Sequence, residues 1–163
     1  MKGKIYMGRI DKINYYLNIA ETVAQRGTCL RNNYGSVIVK NDEIISTGYT
    51  GAPRGRKNCI DLGYCRRQEN NTPHGAGYEL CRSVHSEQNA IISSNRRDMI
   101  DSTLYLVGVN KRTGEYKKET EPCTLCKRMI INAGIGKVII RIDKKNYKEE
   151  LVKDWVENDD TIL

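Results

Sequence analysis

Between Thr103 and Arg141 the chain reads strand, helix, strand, and few folds accommodate that pattern. Thr103–Val109 is a short apolar run rich in β-branched residues, the mark of a buried strand. After a polar loop, Pro122 suits a helix entry, a helix runs from about Cys123 to Ala133, and Gly134 ends it. Lys137–Arg141 is the next strand. Such a unit crosses over right-handedly and needs cover on the faces of its sheet. Upstream, Ser36–Lys40 and Glu43–Tyr49 flank an Asn41-Asp42 turn as a hairpin, so the sheet is mixed. Ile13, Tyr16, Leu17, Ala20, Val23 and Ala24 recur at helical spacing across residues 10–25, and Gly27 ends that helix. Further helices are expected from about Val84 to Arg96 and from Tyr147 to Val156, around Leu151, Val152 and Trp155. The fold class is therefore α/β, a three-layer α/β/α sandwich with a central mixed sheet. With no repeat or linker, residues 1–163 are read as one domain, with residues 1–9 as a flexible tail.

Charged residues are 29% and hydrophobic ones 39%, as in a soluble globular protein. No apolar run approaches a membrane span, and the first residues lack the apolar core of a signal peptide, so a cytoplasmic location is expected. The net charge of +7 fits a solvated surface or an attraction to anionic ligands. Like charges form no long block, which makes a polynucleotide partner unlikely. Six cysteines in such a chain favour metal or catalysis over disulfides.

Pro122-Cys123-Thr124-Leu125-Cys126 carries two of those cysteines on one face of a helix start. Alone the pair fits a structural zinc half-site, a redox pair or a catalytic zinc half-site. His85-Ser86-Glu87, at the start of the preceding helix, changes that balance. His85 supplies a third ligand and leaves the fourth tetrahedral position to water, as in catalytic zinc sites. A carboxylate at Glu87 has no task in a closed structural site, yet hydrolysis requires one to move protons. Helix N-termini, with about half a positive charge each, favour the thiolates. His-x-Glu with Pro-Cys-x-x-Cys is the signature of zinc nucleobase deaminases.

Four stretches extend the match: Thr28–Arg31 with Gly35–Lys40, Ser46–Gly55, Cys81–Ile91, and Pro122–Ile135. In them the chain resembles the deoxycytidylate (dCMP) deaminases of the cytidine deaminase-like superfamily. The resemblance implies zinc-dependent hydrolysis of dCMP to dUMP and ammonia, supplying dUMP for thymidylate synthesis. It makes His85, Cys123 and Cys126 the zinc ligands and Glu87 the proton shuttle. It also implies a homo-oligomer, often a hexamer, and regulation by dCTP with Mg²⁺ and by dTTP. Two positions depart from the family pattern. Thr50 stands where Gly-Tyr-Asn-Gly is common, so the sugar and effector contacts of Tyr49-Thr50 rest on a shorter side chain. Ser86 replaces a common alanine and is expected to be tolerated.

Cys29, Cys59, Cys65 and Cys81 remain. They read either as buried free thiols or as a second, structural zinc site that clips the irregular 50–82 segment, with His74 as an alternative ligand. A substrate phosphate needs a cation: Arg54 follows Pro53 in the loop after the second strand, and Arg31 and Arg82 are further candidates. Asn89 reads as a capping or packing residue. Two other functions compete: a deaminase acting on another cytosine or adenine nucleoside, nucleotide or tRNA base, and a zinc-stabilised nucleic-acid-binding module. The second leaves Glu87 without a role.

Overall fold

The structure, a computed structural model, describes residues 8–158. Of the tail expected over residues 1–9, only Gly8 and Arg9 fall within it, and both are exposed. Five strands form one sheet in the order β2-β1-β3-β4-β5: β1 (Asn32–Lys40), β2 (Glu43–Tyr49), β3 (Thr103–Asn110), β4 (Lys137–Arg141) and β5 (Tyr147–Leu151). β1 runs antiparallel to β2 and β3, β3 parallel to β4, and β4 antiparallel to β5. The sheet is mixed, as the strand–helix–strand unit beside a hairpin requires.

Period-two alternation decides the layers. Val37, Val39, Tyr105, Val107 and Ile139 point to one face and pack under helix α1 (Lys12–Ala24), on Tyr16, Leu17 and Ala20. Ile38, Leu104, Leu106, Val138 and Ile140 point to the other, against Ala90, Ile130, Ala133 and Trp155. Each fully buried aliphatic side chain contributes about 1.5–3 kcal/mol. Asp11 caps α1 by accepting from Asn14 N at 2.9 Å. Asn41 (φ 50°) and Asp42 (φ 65°) close the β1–β2 hairpin with the left-handed pair that its twist demands.

The irregular 50–82 segment holds two single-turn helices, α2 (Cys59–Leu62) and α3 (Arg66–Glu69), and a 3₁₀ turn over Tyr78–Leu80. The helix expected over residues 84–96 divides at Ser93 into α4 (Ser86–Ile92) and α5 (Arg96–Met99), because Asn95 starts a new cap by accepting from Asp98 N. Helix α6 (Thr124–Ala133) ends at Gly134 in the left-handed conformation. The expected helix over Tyr147–Val156 needs correction. Tyr147–Leu151 is an edge strand on β4, and only α7 (Val152–Glu157) is helical. The open edge of β4 offers a ladder of backbone partners, and charge pairs reinforce it. Lys137 meets Glu149 at 3.0 Å, and Lys148 meets Glu121 and Glu150 at 2.9 and 3.1 Å. Among the described residues no helix is long and apolar enough to cross a membrane.

Candidate active site

Two helix starts on one face of the sheet build the site. An isolated bridge between Gly51 and Val84 draws the chain from the end of β2 to the entry of α4. His85 is then the N-cap of α4, its backbone N–H donating to Gln88 Oε1 at 2.9 Å. Cys123, after Pro122, is the N-cap of α6. α4 is pressed onto β2, where Ser46 Oγ donates to Ala90 O at 2.7 Å and Asn89 Nδ2 donates to Tyr49 O at 2.8 Å. The parallel β3–β4 crossover carries α6 alongside α4 on the same side.

Three ligand atoms therefore meet from distant parts of the chain. His85 Nδ1 lies 3.5 Å from Cys123 Sγ and 3.4 Å from Cys126 Sγ, and all three ligand atoms lie within 4.8 Å of one another. A tetrahedral zinc with bonds of about 2.0–2.1 Å to nitrogen and about 2.3 Å to sulfur sets N–S edges of about 3.5 Å. The donor set fits that ion in both spacing and chemistry. Tyr78 packs edge-on against the His85 ring at 5.5 Å and holds its orientation.

The charges are poised for a cation. The Cys123 thiol is held down to about 4 by the hydrogen bond shared with Cys126, with His85 adding to the effect. The same shared bond, with burial, pushes Cys126 up. His85 is raised by its bond to Cys123. Glu87 is 4% exposed, and burial pushes its carboxyl up. Ser86 Oγ donates to Glu87 Oε2 at 3.0 Å and meets Ser36 Oγ at 2.8 Å.

A cavity of about 500 Å³ opens over His85, Glu87 and Cys123. Thr50 and Arg31 line it, as does His74. Thr50 is buried, its hydroxyl accepting from Tyr34 N at 3.1 Å and left with only a long 3.5 Å contact to Tyr34 O. Tyr49, Arg54 and Arg82 are not among the lining residues of this chain: Arg54 is exposed, and Arg82 Nε donates to Lys57 O at 2.7 Å. Sequence reasoning missed Arg67, Lys117 and Lys127 on the cavity wall, and Ser36 behind it.

Cys29, Cys59, Cys65 and Cys81 gather on the flank of this cavity. Ile60 N donates to Thr28 O at 3.3 Å and brings α2 beside Cys29. Burial raises the Cys59 thiol, and the neighbouring sulfurs of Cys29, Cys81 and Cys65 raise it further. Among the described residues only the His85, Cys123 and Cys126 set closes to ligand spacing, and His74 stands exposed on the wall of the cavity that Cys29 and Cys65 also line.

Residues 10–142 match the family described as the cytidine and deoxycytidylate deaminase zinc-binding region. The deoxycytidylate deaminase of Mycobacterium phage D29 is 35% identical over 137 residues, which is 82% of this chain and 96% of the phage protein. That of Schizosaccharomyces pombe is 29% identical over 126 residues, 77% of this chain but only 35% of the yeast protein. The crystal structure of dCMP deaminase from the cyanophage S-TIM5 in complex with dCMP and dUMP superposes with a TM-score of 0.56. It is 25% identical and covers 82% of this chain and 84% of that one.

Proposed function

The chain belongs to the cytidine and deoxycytidylate deaminase zinc-binding family, and from that premise we propose that it hydrolyses dCMP to dUMP and ammonia in a zinc-dependent reaction. The observation that carries the reading is the buried Glu87 carboxylate beside the His85, Cys123 and Cys126 cluster at the floor of an open cavity. His85 Nδ1 and the two sulfurs would hold the zinc, which when bound makes water nucleophilic near neutral pH. Glu87 receives a proton from the attacking water and delivers it to the departing amino nitrogen. Ser86 holds the carboxylate in place by Oε2 for that transfer. Thr50 retains a hydroxyl proton free enough for a sugar oxygen.

The same reading extends to a single catalytic domain working as a homo-oligomer, a hexamer in the family's common form. It supplies dUMP for thymidylate synthesis in the cytoplasm, under control by dCTP with Mg²⁺ and by dTTP. Tyr49, Arg54 and Arg82, outside the lining of one chain's cavity, belong in this scheme to effector or subunit contacts. A second zinc on Cys29, Cys59, Cys65 and Cys81 completes it, supported by the gathering of four sulfurs. The test is ammonia release from dCMP, deoxycytidine, dCTP and dAMP, with and without dCTP and Mg²⁺. Release from dCMP above the others is expected. Release from dAMP alone, or from none of them, overturns the assignment.

A further inference from the structure

Arg67 is a buried cation of the cavity wall to which its own surroundings give no counter-ion. It sits in the single turn of α3, inside the cysteine-bearing segment, and is only 8% exposed. Its Nη2 donates to Pro73 O at 2.8 Å, and its guanidinium lies over the Tyr78 ring at 5.2 Å. Its Nε is buried without any hydrogen-bond partner. No carboxylate of the described residues forms an ion pair with it. The other deeply buried arginine, Arg141, also has an Nε without a hydrogen-bond partner, but its charge is answered by a carboxylate. It has Glu21 at 3.9 Å, and its Nη atoms donate to Lys144 O at 3.2 Å, Asn14 Oδ1 at 3.3 Å and Asn18 Oδ1 at 2.9 Å. A guanidinium withdrawn from water without a counter-ion is strongly unfavourable. Arg67 lines an open cavity, so a ligand can deliver the missing anion there.

Its position says which anion. Tyr78 touches the guanidinium with its face and the His85 ring with its edge, so Arg67 stands one aromatic ring away from the candidate metal cluster. A pyrimidine amino group directed at that cluster leaves the far end of the nucleotide to reach across Tyr78. The remaining wall adds cations at Arg31 and Lys117. Lys127 also lines it but lies over the Trp155 ring at 5.1 Å. Three carboxylates, Glu87, Glu119 and Glu121, share the wall, and Glu121 is already paired with Lys148.

We infer that Arg67 is the specificity-determining residue that binds the phosphate of the nucleotide, and that the cysteine-bearing segment exists in part to hold it. Cys65 is the N-cap of α3, and the N–H groups of Gln68 and Glu69 both donate to its carbonyl, at 3.0 and 3.1 Å. The Cys65 backbone thus closes the turn that carries the arginine. This inference rests on the nucleotide reading above but is tested apart from it.

Calorimetry with dUMP and deoxyuridine on the zinc-loaded protein, the Arg67→Met variant and the Arg67→Lys variant measures the phosphate contribution without turnover. The unaltered protein should prefer dUMP by about 30-fold or more, the range for a desolvated charge pair. Arg67→Met should reduce that preference to about threefold while keeping its deoxyuridine affinity and melting temperature, and Arg67→Lys should fall between. Inorganic phosphate should compete with dUMP only where Arg67 is present. An unchanged preference in Arg67→Met, or equal loss of both ligands, overturns the assignment. So does the absence of any preference in the unaltered protein. Ammonia release is scored separately. Phosphate-dependent binding through Arg67 with no deamination of any cytosine compound would leave the anion site standing and remove the deaminase.

Discussion

Ser86 donates a hydrogen bond from its hydroxyl to Glu87 Oε2 at 3.0 Å, from a position with no exposure to solvent. Ser36, equally buried, meets Ser86 Oγ at 2.8 Å from β1. With the Ser86 proton spent on the carboxylate, Ser36 must be the donor to Ser86. The pair therefore fixes one oxygen of Glu87.

That arrangement makes Ser86→Ala a test of orientation. A neutral donor to a buried charge contributes about 1.5–3 kcal/mol. Part of this is recovered by relaxation of the side chain, so kcat should fall about three- to tenfold with KM within about twofold. Ser36→Ala leaves the Ser86–Glu87 bond intact and should have a smaller effect. Steady-state assays of ammonia release on both variants and the double variant measure this. A KM change as large as the kcat change would rule out a positioning role.

Glu87→Gln should separate function from stability. Removing the proton carrier should lower turnover by about 10²–10⁴-fold while zinc remains bound. In the metal-free protein the same change should raise the melting temperature at neutral pH. Burial lifts the Glu87 carboxyl above its unfolded value, so between the two values the folded chain binds more protons than the unfolded one. Stability then falls as pH rises through that window, and at neutral pH the ionised carboxylate destabilises the fold. Glutamine removes that charge. Thermal melts of both metal-free proteins from acidic to neutral pH should converge at the acidic end and diverge toward neutrality.

Much of this architecture is legible in the residues because burial there follows a period. Val37/Val39 against Ile38, and Tyr105/Val107 against Leu104/Leu106, assign both faces of the sheet by alternation alone. The meeting of His85 with Cys123 and Cys126 follows from helix starts and a crossover rule, both local or general. β5 is hidden because Tyr147-Lys148-Glu149-Glu150-Leu151 has little apolar content. Its strand form comes from the vacant edge of β4 and from charge pairs with Lys137 and Glu121. Arg67 is hidden for the opposite reason. Nothing periodic marks an arginine in an irregular segment as buried, and only the packing of Tyr78 and Pro73 makes it so.

Zinc binding should release protons and weaken as pH falls. The metal-free site holds a proton on Cys126, whose thiol is pushed up by its bond to Cys123, and His85 is raised by its own bond to Cys123. Both groups must be deprotonated to act as ligands. Calorimetric zinc titrations in buffers of differing ionisation enthalpy should give at least about one proton released per catalytic zinc near neutral pH. The affinity should fall steadily below that. Cys126→Ser should abolish the share of the tight binding and of the proton release that belongs to the His85, Cys123 and Cys126 site. A pH-independent affinity would contradict the ligand assignment.

Gly48 in β2 should prove more sensitive than any glycine on the opposite face. A Cβ there would collide with the carbonyl oxygen of Ser86 and the backbone nitrogen of Ala90, both in α4. Backbone atoms cannot swing aside, so Gly48→Ala must lift the whole helix off the sheet. Overpacking of this kind costs about 1–3 kcal/mol. It also shifts the N-terminus of α4, which carries His85 and Glu87, relative to Cys123 on α6. Gly35 supplies the control, because a Cβ there would strike Ala20 O and Ala24 N of α1 on the other side of the sheet. Both variants should lose comparable stability in thermal melts. Only Gly48→Ala should also lose zinc affinity and turnover by more than about tenfold at a temperature where both remain folded. Equal activity losses in the two variants would show that α4 tolerates displacement, and that the close approach at Gly48 serves packing alone.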